Sequence, residues 1–260
     1  MKLLVVDWDY FFPNPMYSGG DDVPEDWGLY DWKHAESPFL IQNIWSIRAA
    51  GFLFHDRELP VARGMEGFWD RFTFSDEAMA LYGDSNLHGT SLNPYPLVED
   101  AVDGEPWEKV TLFDAHHDCG YKGTYEEWQQ GDTVSCENWM LSHYERGSEL
   151  EVVYPPWRVE VEGVEPEPLV PVERRIDTGG PVDEVFDAVY ICRSGAWVPP
   201  WCDDQFTSFV DELGARDDIG MLAEHPFNEW NHPRPDVLDE ARKQVEMMRM
   251  NLPDGVGQAG

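Results

Sequence analysis

The sequence predicts an α/β fold of three layers, with a mainly parallel sheet between helices. Three observations carry this. Short, nearly continuous apolar runs recur along the chain, as in strands buried on both faces. Segments with apolar residues at helical spacing alternate with them. The length, 260 residues of which 42% are hydrophobic, suits one large domain with a sizeable core. A single domain over residues 1–252, followed by a tail at 253–260, is the expected organisation.

Lys2 to Asp9 opens the chain as a buried strand, Lys-Leu-Leu-Val-Val running into Asp-Trp-Asp. Residues 13 to 38, rich in Pro, Gly, Asp and Trp, read as a long surface loop. Ser37 to Ala50 carries Phe39, Leu40, Ile41, Ile44, Trp45 and Ile47 at helical spacing, with Gly51 as the expected stop. Val110 to Phe113 is a second strand, ending in Asp114-Ala115-His116-His117-Asp118. Within 133 to 144 a helix is expected from Ser135, with Trp139, Met140 and Leu141 inward. Leu150 to Tyr154 is a strand stopped by Pro155 and Pro156. The Pro-, Glu- and Val-rich stretch 159 to 183 reads as a hairpin or excursion. Phe186 to Cys192 is a further strand, and Phe206 to Leu213 and Val237 to Met250 are helices.

Composition narrows the function classes. The chain has 51 acidic and 18 basic residues, a net charge of -33, which opposes unaided binding to nucleic acid or an anionic membrane. Solvation in a salty or crowded medium, a basic partner, and a DNA-like decoy surface all fit that charge. No apolar run reaches the roughly 18 residues of a membrane span. The four cysteines, Cys119, Cys136, Cys192 and Cys202, form no Cys-x-x-Cys pair, so a zinc knuckle is not expected. The apolar start is too short for a secretion signal, so reduced thiols and a cytoplasmic location are expected. A small-molecule substrate and, as an option, a homo-oligomer complete the expected partners.

Two strands end in clusters of hard metal ligands. Asp7 and Asp9 close the first strand, and Asp114, His116 and Asp118 follow Phe113. Alternate residues of an extended segment point the same way, so each set is expected on one face. In open α/β sheets, ligands bind at the carboxyl ends of strands. Four carboxylates and an imidazole in one crevice would repel unless a cation sits among them. That donor set suits Mn best, with Mg, Fe or Zn as alternatives, and is large enough for one or two ions.

Phe-Asp-Ala-His-His-Asp at 113–118 resembles the Asp-x-His-x-Asp motif of the arginase, agmatinase and histone-deacetylase superfamily. Asp7-Trp8-Asp9 resembles its second, Asp-x-Asp motif, here placed before the first rather than after it. The resemblance covers about a dozen residues. It implies an arginase-like fold, with Asp114 and Asp7 bridging two metals, Asp118 completing one site, and His116 and Asp9 completing the other. It also implies a histidine from a Gly-Asp-His loop. The nearest stretch, Gly83-Asp84-Ser85-Asn86-Leu87-His88, departs from that spacing; His88 is the candidate sixth ligand, with Asp84 as substitute.

The chemistry implied is metal-dependent hydrolysis of a C–N bond, guanidino or amide, through a metal-activated water. Asp118, Glu137 and His143 are the candidate catalytic side chains, the last two to shuttle a proton to the leaving amine. Arg193, Ser194 and Trp197 follow a strand end and are the candidate substrate-binding residues, Arg193 either clamping an anionic group or neutralising the acidic cluster. Trp157 and Trp201 are candidates for an aromatic wall. His117 is expected in a supporting role on the opposite face, Cys119 in none, and Glu224, His225 and His232 in a Pro- and Trp-anchored loop. Two other functions compete. One is a haloacid-dehalogenase-type, Mg-dependent phosphatase with Asp7 as nucleophile and Asp9 as acid, which leaves Asp114 to Asp118 unexplained. The other is a non-enzymatic acidic binder or decoy on the same scaffold.

Overall fold

The computed structural model describes residues 1–14, 38–83, 106–131, 134–158, 160–163, 165–195, 197–224 and 236–251. Seven strands form one all-parallel sheet: β1 (Lys2–Asp7), β2 (Thr73–Gly83), β3 (Lys109–Phe113), β4 (Glu149–Tyr154), β5 (Glu173–Ile176), β6 (Val185–Cys192) and β7 (Ile219–Glu224). Their spatial order is β5-β4-β3-β1-β6-β2-β7. Among the described residues, five α-helices accompany them: α1 (Pro38–Phe54), α2 (Tyr125–Gln129), α3 (Met140–Glu145), α4 (Asp203–Gly214) and α5 (Val237–Met250).

The side-chain period of two explains the layering. In β1, Leu4 and Val6 join one core with Phe113, Phe186, Val189 and Ile191, on which the α4 residues Phe206, Phe209 and Leu213 pack. Leu3 and Val5 face the other way, into a core with Leu112, Val152 and Tyr190 that Trp128 of α2 and Met140 and Leu141 of α3 close. All four β1 side chains are fully buried, each contributing about 2 kcal/mol of hydrophobic stabilisation. Helices α1 and α5 pair through Ala49, Ala50, Ala241 and Val245, and Trp201 touches both this pair and the α4-side core.

Topology places a crevice beside β1. The chain leaves β1 for β2, two positions to one side, then returns to β3 on the other side. Such a reversal opens a ligand crevice at the carboxyl ends of the strands. Register levels those ends: Val6 pairs with Phe113, Asp7 with Cys192, and Gly83 with Cys192. Asp114 therefore emerges abreast of Asp7.

Several expectations needed correction. β1 stops at Asp7, and Trp8–Phe11 is a 3-10 turn. Helix α1 runs through Gly51 to Phe54, because buried Phe52 and partly buried Leu53 and Phe54 outweigh the roughly 1 kcal/mol cost of a helical glycine. Helix α3 begins at Met140 rather than Ser135, whose N–H is taken by the Asn138 side chain at 2.8 Å. Stretch 159–183 holds β5, parallel to β4, so it is a crossover rather than a hairpin. β2 and β7 were not expected at all. In β2, Glu77 has a φ of 62° at a break in register, which spoils the alternation a strand should show. Gly220 of β7 fits against that bulge, where a Cβ would lie 2.8 Å from the Glu77 Cα. Most of the expected 13–38 loop and the whole 253–260 tail fall outside the described residues.

Candidate metal centre

Asp7 ends β1 and turns its carboxylate back to accept the Asp9 N–H at 3.1 Å, capping the 3-10 turn. That turn, not strand alternation, carries Asp9 over the sheet edge. The Asp9 carboxylate accepts the Ala115 N–H at 3.2 Å through Oδ1, and its Oδ2 lies 3.0 Å from Nδ1 of His116. Beyond β3 the chain bends instead of staying extended. Asp114 accepts the His116 N–H at 2.8 Å, and its Oδ1 lies 3.5 Å from His116 Nδ1. Asp9, Asp114 and His116 thus each present a ligand atom within 4.8 Å of the others.

Electrostatics set these carboxylates apart. Burial, then Asp9 and Asp118, push Asp7 well above the usual carboxylate range. Burial, then Asp9, Asp7 and Asp118, do the same to Asp114. For Asp118, burial wins over the His116 charge and the Trp139 hydrogen bond and lifts the group to about 7. Burial also acts on Asp9, but the charge and hydrogen bond of His116 outweigh it and hold Asp9 low. Buried carboxylates that resist ionisation this way gain most from a divalent cation. The oxygen and imidazole donors fit Mn, Mg, Fe or Zn, and three protein ligands leave positions open, as catalytic sites require.

A cavity opens on Asp9 and His116, lined also by Phe12, Asn14, Trp157 and Trp197. It offers about 10 Å³ to the centre of a water molecule, enough for one water or ion. The Trp197 ring lies 5.4 Å from the His116 ring, so Trp197 and Trp157 form the aromatic wall. Trp201 does not take part; its indole N–H bonds Pro60 O at 2.7 Å and its ring packs on Trp45.

The remaining candidates separate. Asp118, at a φ of 49°, accepts the Trp139 indole N–H at 2.9 Å and faces the Tyr121 hydroxyl at 3.3 Å. It and Asp7 border the three-residue group and act on it through charge. Glu137 is exposed on the turn before α3 and does not line the cavity. His143 is fully buried edge-on to Trp139, and burial holds its ring down to about 3, so it cannot carry protons to solvent. Arg193 is buried and directs Nε to Asp203 at 2.8 Å, so its guanidinium serves the start of α4 rather than an open substrate subsite. Ser194, buried with a φ of 59°, hydrogen-bonds Asp7. His117 accepts the Cys119 N–H at Nδ1, so its Nε2 carries the proton given to Pro166 O at 2.8 Å. His88, Asp84, His225 and His232 lie outside the described residues.

Sequence reasoning missed Arg158, Glu165 and Asp177, all buried beside the site. No local pattern marks them, because the contacts that bring them to the site, to Ala115, His117 and Tyr10, are remote in sequence. Comparison with protein-family models, curated proteins and solved structures finds no match to this chain.

Proposed function

We propose that this chain is a metal-dependent hydrolase acting on a C–N bond at a planar guanidino or amide carbon. The observation that carries this reading is the convergence of Asp9, Asp114 and His116 at adjacent strand ends, inside a set of buried carboxylates. These three residues would hold the ion, with Mn the best match to the donor set. A divalent ion held there supplies a Lewis acid that polarises the scissile group and acidifies water.

The chain's own residues do the rest. Asp118, fixed by Trp139 next to the ligand group, would accept a proton there. Ser194 and the Asp9 N–H orient the Asp7 carboxylate. Trp157 and Trp197 line the same cavity and would offer apolar faces to a planar group. The phosphatase alternative would use Asp7 and Asp9 and leaves the approach of Asp114 and His116 to Asp9 without a role.

The test is a screen of Mn-loaded protein against guanidino compounds and acylated amines, reading urea or free amine. Turnover that needs Mn and disappears in His116→Ala is expected. Metal-loaded protein inert toward both classes would contradict the hydrolase reading.

A further inference from the structure

Tyr10, Ala115, His117 and Cys119 each adjoin a candidate ligand or Asp118. Each is bonded to one stretch of chain, the crossover from β4 to β5. The Trp157 indole N–H reaches Tyr10 O at 2.9 Å, and Asp177 accepts the Tyr10 hydroxyl. Arg158 donates to Ala115 O at 2.5 Å. Glu165 accepts the His117 N–H at 3.4 Å, and Pro166 O takes the His117 ring. Leu169 N–H donates to Cys119 O at 3.0 Å. Asp114 and His116 thus turn to the site while the Ala115 C=O and the His117 ring turn to the crossover.

We infer that the part of the β4–β5 crossover from Trp157 to Leu169 is the frame that positions the ligands, with the buried Arg158–Glu165 pair as its anchor. This rests on the metal reading above. The Ala115 peptide is the link: its N–H holds the Asp9 carboxylate, and its C=O is held by Arg158. Arg158 is 1% exposed, lies 3.7 Å over the Tyr154 ring and meets Glu165 at 2.9 Å. It also donates to Glu160 O at 3.1 Å and Val161 O at 3.4 Å. Glu165 in turn accepts the Tyr154 hydroxyl at 2.6 Å.

Only the planar fork of arginine can reach all these acceptors together; lysine offers one compact charge. The adjoining Glu165 charge offsets that of Arg158 at a distance, so Arg158 acts on a bound cation through geometry more than repulsion. Arg158 and Glu165 are positioning residues.

The test compares wild type with Arg158→Lys and Glu165→Gln. Calorimetric titration with Mn(II) is paired with thermal unfolding and with hydrogen exchange over residues 113–121. Roughly ten- to hundredfold weaker Mn binding at unchanged stoichiometry is expected, as for other residues behind metal ligands. Faster exchange at the His117 and Cys119 amides should accompany it. A packing role alone would lower the unfolding temperature while leaving Mn affinity of the folded protein alone. Folded variants that bind Mn as tightly as wild type, or tighter, would overturn the inference. Should Arg158→Lys not fold, hydrogen exchange over 113–121 in Glu165→Gln decides, since loss of the Glu165 charge alone would weaken Mn binding without speeding exchange, and unchanged rates would overturn the inference. Wild type that takes up no Mn would defeat the metal reading, and the frame would then stand or fall on exchange in Glu165→Gln, unchanged rates refuting it.

Discussion

The two ends of the same central strands treat buried acid in opposite ways. At the amino ends, Lys109 lies 2.6 Å from Glu151 and 2.5 Å from Glu184, and Arg175 lies 2.7 Å from Glu151. Burial raises Glu151, but Lys109 and Arg175 outweigh it and hold the group below its usual range. At the carboxyl ends, burial and neighbouring carboxylates drive Asp7 and Asp114 upward instead. One edge carries its own cations. At the other, no Lys or Arg is among the groups that shift Asp7 and Asp114, and our proposal is that a cation from outside completes the set.

Breaking the carboxyl edge should have the largest effect. Asp114→Ala removes a donor that already contacts His116, and Mn affinity measured by calorimetry should fall by more than ~100-fold, beyond the loss typical of outer residues. Retained affinity would show that the ligands are misassigned. At the amino edge, Lys109→Met should cost about 2 kcal/mol in urea unfolding, since Glu151 and Glu184 lose a largely buried partner. The same variant should bind Mn like wild type; an equal loss of Mn binding would erase the distinction between the edges.

Opposite charge environments also predict opposite pH behaviour. Asp118 titrates near 7 in the folded metal-free protein and near the ordinary aspartate value when unfolded. Between those values the folded state holds more protons, so the stability contributed by this group falls as pH rises toward about 7. Glu151 works the other way: its contribution is present above the ordinary glutamate value and is lost as pH falls. Subtracting the urea midpoints of Asp118→Asn from those of wild type, both free of metal, should give a difference that declines over this window. A flat or rising difference would contradict it. Asp7→Asn should stabilise metal-free protein by about 1 kcal/mol at neutral pH, because an amide needs no proton to be buried there. The smallest effect is expected from Lys2→Met, under about 1 kcal/mol, since Lys2 is partly exposed and meets Glu184 at 3.3 Å.

What the sequence revealed follows the same division. β1, β3, β4 and β6 are legible because central parallel strands are buried on both faces and read as continuous apolar runs. β2 hides behind Thr73-Phe-Ser-Asp-Glu77 and its bulge, and β7 is a half-exposed edge with Gly220 at its second position. Asp9, Asp114 and His116 are legible because hard ligands follow apolar strands, but the reason given for their convergence, alternation along extended chain, is not the one that operates. A capped 3-10 turn and a bend after Phe113 bring them together. Arg158 and Glu165 leave no trace because their meaning lies in Ala115 and His117, some 40 to 50 residues away, as the separations of 43 and 48 show.

The most direct test is elemental analysis of the purified protein, repeated after incubation with Mn(II) and desalting. One or two Mn or similar divalent ions per chain are expected, lost together in Asp9→Ala and His116→Ala. A chain that retains no divalent ion under either condition would contradict the account at its root.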